Sequence, residues 1–304
     1  MFFSRLIACR SFIARVEMKV SIISLVYNNI YPLFLSVDSL VRQEYRNLEY
    51  IILEDSSIPV EVELLQKVFD KLDEFDIDYK YCRNDCNIGT VRSFNRAISE
   101  ASGDIIVALS PGDFFLNKNV VGRIASEFSA GVDILSYSSL LYRSKPYDMG
   151  ETYKQSKRHR FFLAGNNVRL LKYIVAHGNI ISGASTSYRK KFLLDNGGFD
   201  ERFIFLEDYP FFIKTLATAR FRYIKEPLIH YQLGGVSTSG PNPKLLKDYN
   251  TLFNVINADY AIDVKLKRMF NLGYRFTFDS RFKAFLSHPI MVTALIFEKL
   301  LRRI

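Results

Sequence analysis

Three continuous apolar runs lie in the first 115 residues, and each stops abruptly in small, polar or acidic side chains: SIISLVYNN from Ser21, YIILEDSS from Tyr50 and DIIVALSPGD from Asp104. A short apolar run without alternation marks a strand buried on both faces, as in a parallel sheet. Between the runs, apolar positions recur at helical spacing. Phe34, Val37 and Val41 follow Pro32; Leu64, Leu65, Val68 and Leu72 form a second set; Val91, Phe94 and Ile98 form a third before Gly103 breaks it. IDYKYC, ending at Cys82, adds another strand. Strands alternating with helices predict crossover connections and an α/β fold with a largely parallel sheet. Such a sheet takes its ligand at the carboxyl ends of its strands. Asn28, Glu54, Asp55 and Asp113 are therefore expected to converge on one crevice, although the third strand ends in Ser110, Pro111 and Gly112 before any carboxylate.

Beyond residue 114 the pattern loosens. VDILSYSSLLY reads as a strand, followed by an irregular stretch holding Lys157, Arg158, His159 and Arg160. Arg189 to Asp195 predicts a short helix closed by Gly197 and Gly198, and FFIKTLATA a further helix. Strands are expected near FRYI and LIHYQL, and residues 242–304 carry apolar positions at helical spacing. The chain shows neither internal repeats nor a low-complexity linker. The reading divides it into an N-terminal extension (1–17), one α/β domain (18–240) and a basic helical tail (241–304).

Charge changes this picture only at the ends. The net charge is +9, yet residues 20–259 hold 28 basic and 28 acidic side chains, so the excess sits in the first 19 and the last 45 residues. A basic fringe on a neutral body suits an anionic membrane surface, whereas a nucleic acid demands a continuous basic face. Arg5, Arg10 and Arg15 interrupt the apolar N-terminus, so no secretory signal is read there. Met18 directly precedes the first strand, and residues 1–17 are expected to be a dispensable extension from an upstream start, with a mitochondrial-type presequence as the alternative. PIMVTALIF, from Pro289, is half the length of a membrane span. Cys9, Cys82 and Cys86 make an odd count without a second Cys/His pair at metal spacing, which points to a reducing compartment.

Several chemistries are absent. No GxGxxG follows the first strand, and no Walker loop, GxSxG elbow or HExxH occurs. What remains, from Val20 to about Ser239, resembles the family 2 glycosyltransferases, inverting enzymes of the GT-A fold that use nucleotide-sugar donors. The resemblance rests on SIISLVYN, SLVRQEYRNLEYIILEDSS, NDCNIGTVRSFNRAISEASGDIIVALSPGD, GGFDERFIFLED and HYQLGGVST, in that order.

The resemblance implies a GT-A fold, Rossmann-like, with a mixed but mainly parallel sheet flanked by helices, here followed by the helical tail. It implies a nucleotide-facing set of Tyr27, Asn28, Glu54, Asp55, Asn87, Gly89 and Arg92, with Ser237 closing on the diphosphate through the GGVST loop. Carboxylates at the second strand end can accept hydrogen bonds from a pyrimidine N–H or ribose hydroxyls. Arg92 could reach phosphate bidentately. Family members carry an Asp-x-Asp that holds Mg2+ or Mn2+ against the diphosphate. Here Ser110 and Gly112 stand at the two metal-facing positions, which leaves Asp113 as the single carboxylate ligand and a weakened metal site. The Lys157–Arg160 cluster could substitute cations for the metal, and its plain alternative is a solvated basic loop. In LEDYP, Asp208 matches the base that deprotonates the acceptor hydroxyl, with Glu207 beside it; before Tyr209 and Pro210 it could equally cap a helix.

The expected activity is transfer of a sugar, with inversion, from a nucleotide-sugar donor, UDP-linked rather than GDP-linked, to a hydroxyl of a surface polysaccharide or lipid-linked glycan. The protein is expected in the cytoplasm, peripheral at the inner face of the membrane through its tail, and not on nucleic acid. The alternative is a catalytically silent relative, a nucleotide-sugar binding or scaffold subunit.

Overall fold

The computed structural model describes residues 17–142, 157–233 and 243–278. The expected extension up to residue 16, the GGVST loop with Ser237, and the basic end from residue 279 lie outside the described residues.

The three apolar runs form strands β1 (Val20–Val26), β2 (Leu48–Glu54) and β4 (Ile105–Ala108), and IDYKYC supplies β3 (Asp78–Arg83). The helices between them are α1 (Leu33–Val41), α2 (Val62–Glu74) and α3 (Thr90–Glu100). Their buried residues keep the helical spacing of the sequence: Leu65, Val68 and Leu72 in α2, and Val91, Phe94, Ala97 and Ile98 in α3. The remaining strands are β5 (Phe114–Phe115), β6 (Ile134–Tyr142), β7 (Thr186–Arg189) and β8 (Phe221–Gln232). They are interleaved with α4 (Val120–Ser129), α5 (Lys157–Leu163), α6 (Asn167–His177), α7 (Lys190–Asp195) and α8 (Asp208–Thr215). Helices α9 (Pro243–Ala258) and α10 (Val264–Phe278) follow.

Among the described residues the eight strands form one sheet in the order β3-β2-β1-β4-β7-β6-β8-β5. β3, β2, β1 and β4 run parallel, β7 is antiparallel to both β4 and β6, and β6 pairs in parallel with β8. From β1 the chain steps outward to β2 and β3, then returns to place β4 on the other side of β1. That reversal opens a crevice at the carboxyl ends of β1 and β4.

Three expectations after residue 114 change. The stretch around Lys157 is helical from that residue on. FRYI and LIHYQL are one strand, β8, whose register against β6 shifts around Ser138. The four-residue β7 and two-residue β5 were not foreseen, because runs this short carry no readable period.

One core on each face of the sheet holds the layers together. α1, α2 and α4 pack on one side; α3, α6, α8, α9 and α10 pack on the other. Leu252, Val255, Ile256 and Phe270 from α9 and α10 are buried in that second core. At about 1.5–3 kcal/mol per buried apolar side chain, these two helices are bound into the body. No helix among the described residues is long and apolar enough to cross a membrane.

Candidate active site

The first two strand ends build one wall of the crevice. Just past β1, Tyr27 is 53% exposed, and Asn28 adopts a left-handed φ of 63°. The Asn28 N–H donates to Ser57 Oγ (2.7 Å), which ties the two strand ends together. The adjacent carboxylates Glu54 and Asp55 have separate tasks. Glu54, expected to face a nucleotide, is fully buried. Its carboxylate accepts from Arg83 Nε (2.7 Å), opposite it on β3, and from the Ser57 N–H. It clamps the loop from below.

Asp55 reaches toward α3 instead. Its Oδ1 accepts from Asn84 Nδ2 (2.7 Å) and the Ile88 N–H (2.9 Å), and its Oδ2 accepts from the Gly89 N–H (3.0 Å). A carboxylate at a helix N-terminus satisfies amides that have no intrahelical partner. Gly89 has a φ of 86°, and a Cβ there would lie 2.9 Å from the Ile204 side chain. Asn87 is exposed beside it. Arg92, one turn into α3, is half-exposed, with Glu201 at 3.8 Å. A pair this open contributes little, so the guanidinium is available to an anion.

The third strand end is closed more tightly. Ser110 to Asp113 form a turn, with the Asp113 N–H on Ser110 O (2.8 Å) and Ser36 Oγ of α1 donating to Asp113 O (2.7 Å). Ser110 itself is exposed. Gly112 has a φ of 96°, and a Cβ there would fall 1.9 Å from Gln232 Oε1. The Gln232 amide therefore takes the space that a side chain at 112 would occupy. Asp113 is 2% exposed. Its Oδ1 accepts from the Gln232 N–H (2.8 Å), while its buried Oδ2 has no partner. Burial pushes its carboxyl well above the usual carboxylate range, and the Gln232 N–H opposes the shift. Next to it, His230 stacks on Phe114 with centroids 4.4 Å apart, and burial keeps its imidazole on the neutral side.

The family's metal has a narrow foothold here. An orphaned carboxylate oxygen fits one ligand of Mg2+ or Mn2+, an ion that commonly keeps several waters. Gly112 offers no side-chain donor atom, and among the described residues no three His, Cys, Asp or Glu side chains gather. Asp113 Oδ2 could supply one protein ligand, with the remaining positions left to diphosphate oxygens and water.

Glu207 and Asp208 stand at the start of α8, both partly exposed. Asp208 is the first helical residue rather than the cap. Its Oδ1 accepts from the Tyr209 N–H (2.6 Å), and its Oδ2 accepts from Asn179 Nδ2 (3.1 Å). Gly183 lies against it: a Cβ there would be 3.0 Å from Oδ2. Burial, and for Glu207 also repulsion by Asp208, raises both carboxyls above their ordinary range. The hydrogen bonds from the Tyr209 N–H and Asn179 oppose the rise at Asp208. The pair and Asp113 each act on one of two neighbouring buried tyrosines: Tyr188 is raised by burial and then by Asp208, Glu207 and Tyr137, and Tyr137 by burial and, against the Ser187 hydrogen bond, by Asp113.

Asn179, Gly183, Gln232 and Arg83 escape sequence reasoning. Each is a polar or small residue outside any period, and each acts through a partner far along the chain.

Comparison with known proteins identifies the family and the fold. The family described as Glycosyl transferase family 2 matches residues 21–196. A Haemophilus influenzae protein described as an uncharacterized glycosyltransferase is 25% identical over 225 residues, which cover 72% of this chain and 67% of that one. Among solved structures, residues 1–349 of S. aureus TarS in complex with UDP-GlcNAc superpose with a TM-score of 0.63 at 19% identity, covering 88% of this chain and 75% of that one. The chain spans 45% of the longer TarS structure. A mannosyltransferase from Pyrobaculum calidifontis, in complex with GDP-Man and Mn2+, gives a TM-score of 0.61 at 13% identity, covering 93% and 75% of the two chains. At such identities the structural likeness shows the fold, which is GT-A.

Proposed function

Because the chain belongs to glycosyl transferase family 2 and is a glycosyltransferase, we propose that it moves a sugar, with inversion, from a UDP-linked donor to a hydroxyl of a surface polysaccharide or lipid-linked glycan. The observation that carries this reading is the Glu207–Asp208 pair, with Asp208 fixed between Asn179 and the start of α8. In-line displacement needs one base and a stabilised leaving group. Asp208 takes the acceptor's proton as that oxygen bonds to the anomeric carbon. The bond from that carbon to the diphosphate breaks on the opposite face, and its electron pair leaves with the nucleotide. Glu207, next to it at the start of α8, is placed to hydrogen-bond the acceptor and orient it.

The donor wall consists of Tyr27, Asn28, Asp55, Asn87, Gly89 and Arg92, with Glu54 acting through the loop that it clamps. Tyr27 offers an exposed ring to a base, and Arg92 a half-exposed guanidinium, paired only weakly with Glu201, to the diphosphate. A nucleotide-sugar donor is also what the TarS and mannosyltransferase complexes contain. Asp113 would hold Mg2+ or Mn2+, and the ion when bound neutralises charge on the leaving diphosphate. The basic ends of the chain favour an acceptor presented at an anionic membrane surface, with the protein on its cytoplasmic side.

Calorimetric titration with UDP- and GDP-sugars, with and without Mn2+, tests the donor, and proton NMR of the product's anomeric centre tests inversion. UDP-sugar binding and an inverted product are expected; retention of configuration would sink the single-base mechanism. Asp113→Asn should abolish any stimulation by Mn2+ while leaving the melting temperature within a few degrees, because it replaces a carboxyl whose charge burial already disfavours. Mn2+ stimulation that survives this change would remove Asp113 from the site.

A further inference from the structure

We propose that Asp248, in α9, is a positioning residue that sets the Glu207–Asp208 pair against the donor wall, so that the C-terminal helices belong to the catalytic unit. The inference rests on Asp208 being the base. Helix α9 lies outside residues 21–196, the part that the family model matches.

Asp248 is 1% exposed, and its carboxylate is spent entirely on one loop. Its Oδ2 accepts from the N–H groups of Ile204 (3.1 Å), Phe205 (2.7 Å) and Leu206 (3.1 Å), and its Oδ1 shares the Ile204 N–H at 3.1 Å. Three consecutive amides turned onto one anion form a nest, and charge-assisted hydrogen bonds of this kind are about twice as strong as neutral ones. The next residues in the chain are Glu207 and Asp208.

The same loop also touches the donor wall. Ile204 O accepts from the Val91 N–H (3.1 Å), and the Ile204 side chain fills the space over Gly89, whose own N–H is held by Asp55. One buried carboxylate thus fixes a four-residue bridge between the nucleotide-facing loop and the base. The other support of Asp208 leads to the same helices. Asn179 follows α6, and α10 packs on α6 so closely that a Cβ at Gly273 would lie 2.3 Å from Ala176 O. The negative charge of Asp248 also contributes to the upward shift of Glu207, after burial and Asp208.

The test compares Asp248→Ala and Asp248→Asn, alone and combined with Asp208→Asn. It follows release of nucleoside diphosphate from UDP-GlcNAc and from GDP-mannose, with melting curves for each variant. Asp248→Ala should lower turnover at least tenfold. Asp248→Asn, whose carbonyl still accepts two of the amides, should recover part of the loss. In the Asp208→Asn background, neither change should lower the residual rate further, because the group being positioned is gone. Equal loss in both backgrounds would make Asp248 a general scaffold residue, and full turnover of Asp248→Ala, or of Asp248→Asn should the alanine variant not fold, would overturn the inference outright. Full turnover of Asp208→Asn would instead remove the base assignment, as would a wild-type protein that releases nucleoside diphosphate from neither donor.

Discussion

Replacing Asp208 by asparagine should lower turnover by about 10²–10⁴-fold, the range over which a positioned general base acts, while nucleotide-sugar affinity stays unchanged. Asparagine keeps the size of the side chain, and its carbonyl can still accept the Tyr209 N–H. Its NH2 then faces the NH2 of Asn179, whose carbonyl is held by the Ile181 N–H, so that one hydrogen bond is lost together with the capacity to take a proton. The pH profile gives an independent check. Burial holds the Asp208 carboxyl above its usual range, so wild-type kcat/KM should rise with pH along a limb centred above the ordinary carboxylate value of about 4. That limb should vanish in the variant. The stability change has the opposite sense to the loss of activity. A carboxyl with a raised folded-state pKa binds more protons folded than unfolded between the two values, so the pair's contribution to stability falls as pH rises through that window. Asp208→Asn removes one such group and relieves the repulsion that helps raise Glu207. Its melting temperature at neutral pH should equal or exceed that of the wild type, so a folded variant with near wild-type turnover would remove Asp208 from the mechanism.

The second large effect belongs to Asp55. Its carboxylate is the acceptor for Asn84 Nδ2 and for the Ile88 and Gly89 N–H groups. After Asp55→Ala, Asn84 keeps Ser93 Oγ as an acceptor, but the two backbone amides lose theirs. Each buried donor left unsatisfied costs about 1–3 kcal/mol, so urea denaturation should show a loss of roughly 2–6 kcal/mol for the two amides. Asp55→Asn should fall between, since one oxygen remains while an NH2 faces an amide. The loop that Asp55 holds carries Asn87 and leads into Arg92, so donor affinity measured by calorimetry should fall in both variants. An Asp55→Ala protein that binds donor normally would separate this loop from the donor wall.

The α/β fold and its GT-A form were legible because the feature that specifies them, burial of the central strands on both faces, writes itself into contiguous residues. The apolar runs of β1, β2 and β4 and the helical spacing of α2 and α3 appear in the structure where the chain predicts them. The site was legible only as far as each residue terminates such an element: Asn28, Asp55 and Asp113 follow strands, and Asp208 opens a helix. What each of them does was not. Glu54 and Asp55 are neighbours of the same chemistry, yet Arg83 stands opposite Glu54 in the β2–β3 register and makes it a buried clamp, while Asp55 faces α3.

By itself, then, the sequence determined the alternation of buried strands and helices, the family to which the chain belongs and the element ends at which the carboxylates stand. Local periodicity and ordered motifs are properties of consecutive residues, and these statements need nothing more. The tertiary structure alone decided that Gln232 occupies the space over Gly112, that Asn179 and Gly183 close around Asp208, and that Asp248 holds the loop before it. These contacts join residues 25 to 120 positions apart. Hydrogen bonds and van der Waals contacts depend on separation in space, which the order of residues along the chain does not encode until the sheet and both helical layers have brought the partners together.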